Sequence, residues 1–211
     1  MEITSLKAGR GRDKKVVICL DGKPAFKLLA ETALKEKLEV GQELSESRIE
    51  TLAGLDRVQR CLNAAFRYLA YRPRSEAEIR QRLLKRGFDS ATAADALAKL
   101  RERGLIDDAA FARFWKDNRV SFSPRSRRLT GLELRRKGLP ADIIDSVVRE
   151  IDEADGAYRA ASARAGRLPL TDYQLFRRRL AAYLGRRGFG YDITRETVDR
   201  LWAERGRKKI A

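Results

Sequence analysis

The sequence LLKRGF at residues 83–88 has two further versions in the chain, LRRKGL at 134–139 and LGRRGF at 184–189. Each version has a leucine four residues before a glycine, a basic pair directly before it and a large apolar residue directly after it. Glycine readily adopts the left-handed conformation that ends many helices, and the apolar residue after it then contacts the leucine of the last turn. Cations in that turn suit the helix dipole. The pattern therefore predicts three helix ends, at Gly87, Gly138 and Gly188.

Alignment on these glycines, which lie 51 and 50 residues apart, shows an internal repeat. Apolar residues recur ten and thirteen positions after each glycine, as Leu97 and Leu100, Val148 and Ile151, and Val198 and Leu201. Twelve positions before the glycine the first two repeats have Ser75 and Ser126, whereas the third has the longer segment AGRLPLTDYQLF at 165–176. Each repeat predicts three short helices. They lie at 56–70, Ser75 to Gly87 and 89–103 in the first repeat, at 108–121, 126–137 and 141–152 in the second, and at 155–165, 172–187 and 194–205 in the third.

The first 55 residues follow a different pattern. The apolar run at 16–20, which favours an extended chain, predicts a β-hairpin together with the turn Asp21-Gly22 and the segment 24–28. The segment EITSL at 2–6 is a candidate third strand, since an isolated hairpin is barely stable. AETALKEKL at 30–38 predicts a short amphipathic helix, and the capping-box pattern at Ser47 predicts the start of another.

These patterns predict a mainly α protein built from three tandem three-helix repeats, with a small N-terminal extension of β-hairpin and helix. The predicted segments are 1–55 for the extension, 56–106 and 107–153 for the first two repeats, and 154–211 for the divergent third repeat. Three-helix units of this size share core with their neighbours when they stack. We therefore expect an elongated, curved body.

The formal net charge is +16, and it is unevenly distributed. Residues 1–55 have 10 Lys and Arg against 9 Asp and Glu, whereas residues 56–211 have 36 against 21. A positive field of this size attracts polyanions and speeds their encounter. The alternative, a basic but inert surface, remains open.

The residue types that most enzymes use are scarce. Histidine is absent, and Cys19 and Cys61 lack zinc-ligand spacing. There is no phosphate-binding GK[ST] loop, signal peptide or apolar run of membrane length. Phe114, Trp115 and Trp202 stand at helical spacing in apolar stripes, which predicts core positions for all three. We expect a soluble, cytoplasmic, monomeric protein that is not an enzyme and has no metal or cofactor.

Three stretches together resemble the RecX family of bacterial regulatory proteins: RPRSEAEIRQRLLKRGF at 72–88, LRERGLIDDAAFARFW at 100–115 and SPRSRRLTGLELRRKGLPADIID at 123–145. The N-terminal extension looks like the β-hairpin that some members have. The resemblance implies a modulator, usually an inhibitor, of the recombinase RecA that binds the groove of the RecA–DNA filament. It implies roles in homologous recombination, DNA repair and the SOS response. An autonomous, sequence-nonspecific DNA-binding protein and a helical scaffold for another acidic partner remain the alternatives.

The candidate contacts to DNA or RecA are basic residues chosen by charge and position in the repeat. They are Arg72 and Arg74 in the first loop, Arg125, Arg127 and Arg128 in the second, Arg177, Arg178 and Arg179 in the third repeat, and the helix-end residues Lys85, Arg86, Arg135, Arg136, Lys137, Arg186 and Arg187. Helix capping explains the helix-end pairs in part, and a solvated surface is the alternative for every cluster. We rank the loop arginines first because no helix dipole accounts for them.

Overall fold

The computed structural model describes residues 1–9 and 14–210, and side chains through residue 207. The chain divides into two compact units, Met1–Ile106 and Asp107–Ala211. The first unit combines a small sheet with helices, and the described part of the second is helical.

A three-stranded antiparallel sheet opens the first unit, with β1 at Ile3–Ala8, β2 at Lys15–Leu20 and β3 at Lys23–Leu29 in the order β1-β2-β3. The predicted hairpin and its third strand are thus confirmed. The turn residues Asp21 and Gly22 both have positive φ, at 47° and 82°, as a tight hairpin turn requires. Helix α1 at Ala30–Lys35 follows directly. The core beneath the sheet contains Ile3, Ile18, Leu20, Leu28, Ala33, Leu38, Leu44 and Leu52.

Helix α2 at Glu46–Leu69 corrects the prediction of two helices, one starting near Ser47 and one at 56–70. Ser45 is the N-cap, and its hydroxyl accepts a hydrogen bond from the Arg48 amide at 3.2 Å. Gly54 does not interrupt the helix, since a single glycine costs only about 1 kcal/mol. Packing offsets this cost, because Leu52 lies in the core of the sheet and Leu62 in the core of the helices that follow. Helix α2 therefore crosses the boundary predicted at residues 55 and 56.

Asp56 joins α2 to the sheet although its side chain is almost fully buried. Its Oδ1 accepts hydrogen bonds from the amide of Leu29 at 2.7 Å and from the hydroxyl of Thr32 at 3.3 Å. Its Oδ2 lies 2.9 Å from Nε of Arg60, one turn further along the helix. A buried carboxylate is stable only when such partners satisfy it, so Asp56 fixes the junction of β3 and α1 on α2.

Two further helices complete the first unit, α3 at Glu76–Leu84 and α4 at Ser90–Glu102. Ser75 and Glu78 form the predicted capping box, and Asp89 caps α4 through the Thr92 amide at 2.8 Å. The core between α2, α3 and α4 contains Cys61, Leu62, Ala64, Ala65, Ile79, Leu83, Ala93, Ala96, Leu97, Leu100 and Ile106.

The described part of the second unit contains two helix triplets, each with its own core. The helices are α5 at Asp108–Phe122, α6 at Arg127–Arg136, α7 at Ala141–Arg149, α8 at Glu153–Ala165, α9 at Tyr173–Arg186 and α10 at Tyr191–Ile210. Phe111, Leu134, Ile144 and Val147 are among the core of the first triplet, and Phe176, Leu180, Leu184 and Val198 are among that of the second. The largest difference from prediction is α10, which begins three residues early and extends five residues further.

The predicted core position of Phe114 is wrong, because this side chain is 40% exposed. Phe111 and Trp115 both face the core, because four positions correspond to a rotation of only about 40° around the helix axis. Phe114 is rotated by about 60° from Phe111 in the opposite direction, which turns it away from the core. Trp115 packs at the core edge, and Trp202 packs edge-on against Tyr173 and Phe176. Spacing alone did not separate the edge of the apolar stripe from its centre.

Candidate basic interface

The three repeated glycines end helices in the way the sequence predicts. The amide after each glycine donates to the carbonyl of the motif leucine, from Phe88 to Leu83 at 3.3 Å and from Phe189 to Leu184 at 3.2 Å. Gly87, Gly138 and Gly188 have φ values of 86°, 79° and 86°. This pairing and this conformation define a Schellman motif. The glycine, the leucine and the apolar follower are therefore structural, and only the basic pairs remain as candidate contacts.

The two loop arginines of the first repeat already have intramolecular partners. Arg72 forms two hydrogen bonds with the carboxylate of Glu78, at 3.0 and 3.2 Å, and a third with the carbonyl of Pro73. The guanidinium of Arg74 lies 4.0 Å from the ring centroid of Tyr68, a cation–π distance. Its Nε is buried without a hydrogen-bond partner among the described residues. Both arginines hold the loop before α3.

Loop arginines of the second repeat are also engaged. Arg125 forms an ion pair with Glu133, a mostly buried carboxylate that also accepts hydrogen bonds from Arg119 at 2.7 Å and from the Trp115 indole at 2.9 Å. Nε of Arg127 donates to the carbonyl of Ile151 at 2.8 Å. These contacts tie the loop to its own helix triplet.

Other predicted contact residues are exposed and make no hydrogen bond or ion pair with the described part of the chain. They are Lys85, Arg86, Arg128, Arg135, Arg136, Arg178, Arg179 and Arg186. Arg177 and Lys137 are half-buried, and the ammonium of Lys137 lies 4.0 Å from the ring centroid of Trp115. Exposed helix-end residues such as Lys85, Arg86 and Arg186 are therefore freer to meet a partner than the engaged loop arginines, which reverses the predicted order for these side chains.

A basic cleft of about 390 Å³ lies in the first unit, between α2, the sheet and the end of α3. Its lining residues are Lys15, Leu29, Arg60, Asn63, Ala64, Arg67, Arg86 and Phe88. Only Arg86 was among the predicted contacts. Arg60 and Arg67 are seven positions apart, which places them on one face of α2, and this heptad spacing is the signal that identifies them.

A second basic cleft, of about 360 Å³, lies within the second unit. Ser123 and Arg125 from the α5–α6 loop, Arg164 from α8, and Tyr183, Arg186 and Arg187 from α9 and its end line this arginine cleft. Arg187 donates to the Ser123 hydroxyl and to the carbonyl of Pro124, both at 3.1 Å, and lies 4.7 Å from the Tyr183 ring centroid. Arg164 was not predicted, because only the packing of α8 against α9 brings it to Arg186.

Several described residues have shifted pKa values, and they lie in a helix cap, in the core and in hydrogen-bonded or ion-paired side chains at the surface. The hydroxyl of Tyr158 donates to Glu204 and that of Tyr173 to Asp199, and these bonds raise the pKa of both tyrosines. They join α8 and α9 to α10. Within residues 1–9 and 14–207 no three His, Cys, Asp or Glu side chains cluster in a way that could hold a metal ion. No described helix has the length and apolarity to cross a membrane.

Comparison with known proteins identifies the family. The first three-helix domain of RecX matches residues 61–100, and the second matches residues 107–148. Regulatory protein RecX of Chlorobaculum tepidum is 37% identical over 143 residues, which cover 68% of this chain and 89% of that protein. The chain belongs to the RecX family. The RecX protein of Mycobacterium avium is 37% identical over 149 residues, and that of Clostridium beijerinckii is 26% identical across 96% of both chains.

Solved RecX structures have the same fold. A crystal structure of a regulatory protein RecX superposes with a TM-score of 0.73 at 25% identity, covering 94% of this chain and 98% of the other. RecX from Lactobacillus salivarius gives a TM-score of 0.62 at 22% identity over 70% of this chain. The mainly α fold with tandem three-helix domains, inferred from the repeat and from the resemblance, is thereby confirmed.

Proposed function

We propose that this RecX family member is a non-enzymatic inhibitor of the RecA recombinase that binds in the groove of the RecA–DNA filament in the cytoplasm. Through this binding it regulates recombination, DNA repair and the SOS response. The observation that carries the proposal is the match to both RecX three-helix domains, together with curated relatives that are named regulatory proteins.

The charge distribution supports a polyanionic filament as the partner. Exposed cations that make no hydrogen bond or ion pair with the described residues stand at the helix ends of all three repeats, as Lys85 and Arg86, Arg135 and Arg136, and Arg186. A partner that carries phosphates or carboxylates at regular intervals would meet such cations repeatedly. These exposed side chains can form such contacts without first losing a bond to the described part of the chain.

The test is the ATPase activity of RecA on single-stranded DNA, measured at low salt with increasing amounts of the purified protein. We expect the activity to fall at near-stoichiometric amounts. We expect the double variant Arg135→Glu/Arg136→Glu to inhibit much less. Arg113→Glu/Arg149→Glu changes the net charge equally at exposed positions outside both clefts and should inhibit as the native chain does.

Direct DNA binding is the second candidate function, and the arginine cleft of the second unit favours it. RecA filaments assembled on saturated DNA separate the two. Inhibition that persists when no DNA is free supports filament binding. Inhibition that disappears as DNA is added in excess indicates competition for DNA. If RecA activity is unchanged while circular dichroism shows a folded protein, the proposal is wrong, and a pull-down that recovers another acidic protein would favour a scaffold.

A further inference from the structure

The arginine cleft of the second unit, lined by Ser123, Arg125, Arg164, Tyr183, Arg186 and Arg187, presents concentrated positive charge in a concave site. All its charged lining residues are arginines. Glu133 pairs with Arg125, but it also binds Arg119, so it neutralises little of the charge of the cleft. A cleft that focuses one sign of charge attracts a ligand of the opposite sign. The cleft therefore suits an anionic group.

Two of the arginines are fixed in position before any ligand arrives. Arg187 is held by the Ser123 hydroxyl and the Pro124 carbonyl, and its guanidinium stacks on Tyr183. Arg125 is held by Glu133. A guanidinium fixed in this way loses little conformational entropy when it binds, and its planar fork matches the paired oxygens of a phosphate.

The other two arginines are available to a ligand. Arg164 and Arg186 are exposed and make no hydrogen bond or ion pair with the described residues, and the guanidinium of Arg164 lies 5.7 Å from the Tyr183 ring centroid. Each of these two guanidinium groups has five N–H donors, which can form charge-assisted hydrogen bonds with phosphate oxygens. The cleft thus combines two arginines that are fixed in position with two arginines that are available to a ligand.

An exposed aromatic residue adjoins a lining residue of the cleft in sequence. Phe122 is 83% exposed and immediately precedes Ser123, a lining residue. The first repeat has Tyr71, 85% exposed, 51 residues earlier, at the same distance before Ser75 as Phe122 stands before Ser126. An exposed phenylalanine adds nothing to the core, but its ring offers a flat face. Stacking of a nucleic-acid base on such a ring contributes about 1–3 kcal/mol.

We propose that the arginine cleft binds the phosphates of a single-stranded nucleic acid and that Phe122 stacks on one of its bases. A duplex keeps its bases stacked inside, so only an unpaired strand offers a base to Phe122. The proposal deepens the proposed function by adding a direct strand contact to a filament-binding protein. Strand binding by the cleft does not require RecA, so this proposal and the proposed inhibition of RecA can be refuted independently.

The test is fluorescence anisotropy of a labelled oligothymidylate with the full chain alone, across a range of salt concentrations. We expect Arg164→Glu/Arg186→Glu to weaken binding at least tenfold and to reduce the salt slope by roughly 1.4, the value for two lost phosphate contacts on a single strand. Arg113→Glu/Arg149→Glu is the charge-matched control and should bind far better than the cleft variant. Equal weakening by both variants would show that net charge alone attracts the strand and would overturn the site.

Phe122 is tested separately. We expect Phe122→Ala to weaken oligothymidylate binding roughly fivefold to a hundredfold, Phe122→Trp to retain it, and binding of a blunt duplex to be the same for all three proteins. An unchanged affinity of Phe122→Ala for the single strand would overturn the stacking role. Polyglutamate is added as a competitor at the same concentration of negative charge. If it displaces the oligonucleotide, the ligand of the cleft is an acidic protein and not a nucleic acid.

Discussion

The amide of Ser126 donates a hydrogen bond to the carbonyl of Arg187 at 3.0 Å, and this bond joins the start of α6 to the end of α9. The next residue, Gly188, lies so close that an added Cβ would be 2.5 Å from the Ser126 hydroxyl oxygen. The contact links the second and third helix triplets within the second unit. It also holds Arg187 at the arginine cleft.

Substitution of the motif glycines should separate backbone strain from this close approach. Gly87 and Gly188 both have a φ of 86°, but a Cβ on Gly87 would meet nothing within 4 Å. Gly87→Ala should cost about 1–2 kcal/mol of unfolding free energy through the left-handed backbone alone. Gly188→Ala should cost about 1–3 kcal/mol more, because Ser126 must move. Urea unfolding measures both costs, and equal costs would show that the contact yields easily.

Charge reversal at neighbouring arginines should affect stability differently. Arg127→Glu loses the bond to the Ile151 carbonyl and places a carboxylate close to Glu153, whose side chain accepts from the Arg127 amide at 2.9 Å. The expected cost is about 1–3 kcal/mol. Arg128→Glu changes an exposed residue in the first turn of α6, where a negative charge suits the dipole, and should leave stability within about 0.5 kcal/mol.

The same pair tests the role of the second loop in binding. If Arg128 contacts the RecA filament or DNA, Arg128→Glu weakens binding while the melting temperature stays constant. Filament co-sedimentation and thermal unfolding measure the two quantities. Binding that is unaffected by Arg128→Glu would leave this residue as solvated surface.

Buried threonines give a test of hydrogen-bond satisfaction. The hydroxyl of Thr130 is buried and has no partner among the described residues, whereas that of Thr32 donates to Asp56 at 3.3 Å. Thr130→Val keeps the shape and removes an unpaired polar group, so stability should rise by up to about 1 kcal/mol. Thr32→Val should lower it by about 1 kcal/mol. Thermal unfolding compares the two, and a loss at Thr130 would indicate that its hydroxyl has a partner in solution.

Cys61 should make stability fall at alkaline pH. Burial in the core of the first unit, and secondarily the negative charge of Asp89, raise the pKa of the thiol from 9.0 to about 11. Between these values the unfolded chain releases the proton while the folded chain retains it. The contribution of Cys61 to the free energy of unfolding is therefore constant below pH 9. It falls by about 2–3 kcal/mol as the pH rises to 11.

Urea unfolding at pH 8, 9, 10 and 11 measures this loss against Cys61→Ala as the control. The control retains every lysine and tyrosine but has no thiol, so its alkaline slope should be shallower. Identical slopes for the two proteins would mean that Cys61 does not titrate differently on unfolding.

Local features of the fold were readable from the sequence, and contacts between distant segments were not. The glycine stops and the capping box at Ser75 depend on residues within one or two turns, so spacing alone predicted them. The partners of the arginines depend on tertiary packing, as for Arg127 with Ile151 and Arg187 with Ser123, 24 and 64 positions apart. For this reason charge and position selected clusters of basic residues but could not distinguish free side chains from engaged ones.

Helix α2 makes the N-terminal extension inseparable from the repeat that follows. Leu52 and Leu62 belong to different cores on one uninterrupted helix, and Asp56 between them is satisfied by Leu29 and Thr32 of the extension. Removal of the first 55 residues would truncate α2 and leave the buried carboxylate of Asp56 without its hydrogen-bond partners Leu29 and Thr32. The sheet and the first helix triplet therefore constitute one cooperative folding unit, in which local opening of either part exposes the other.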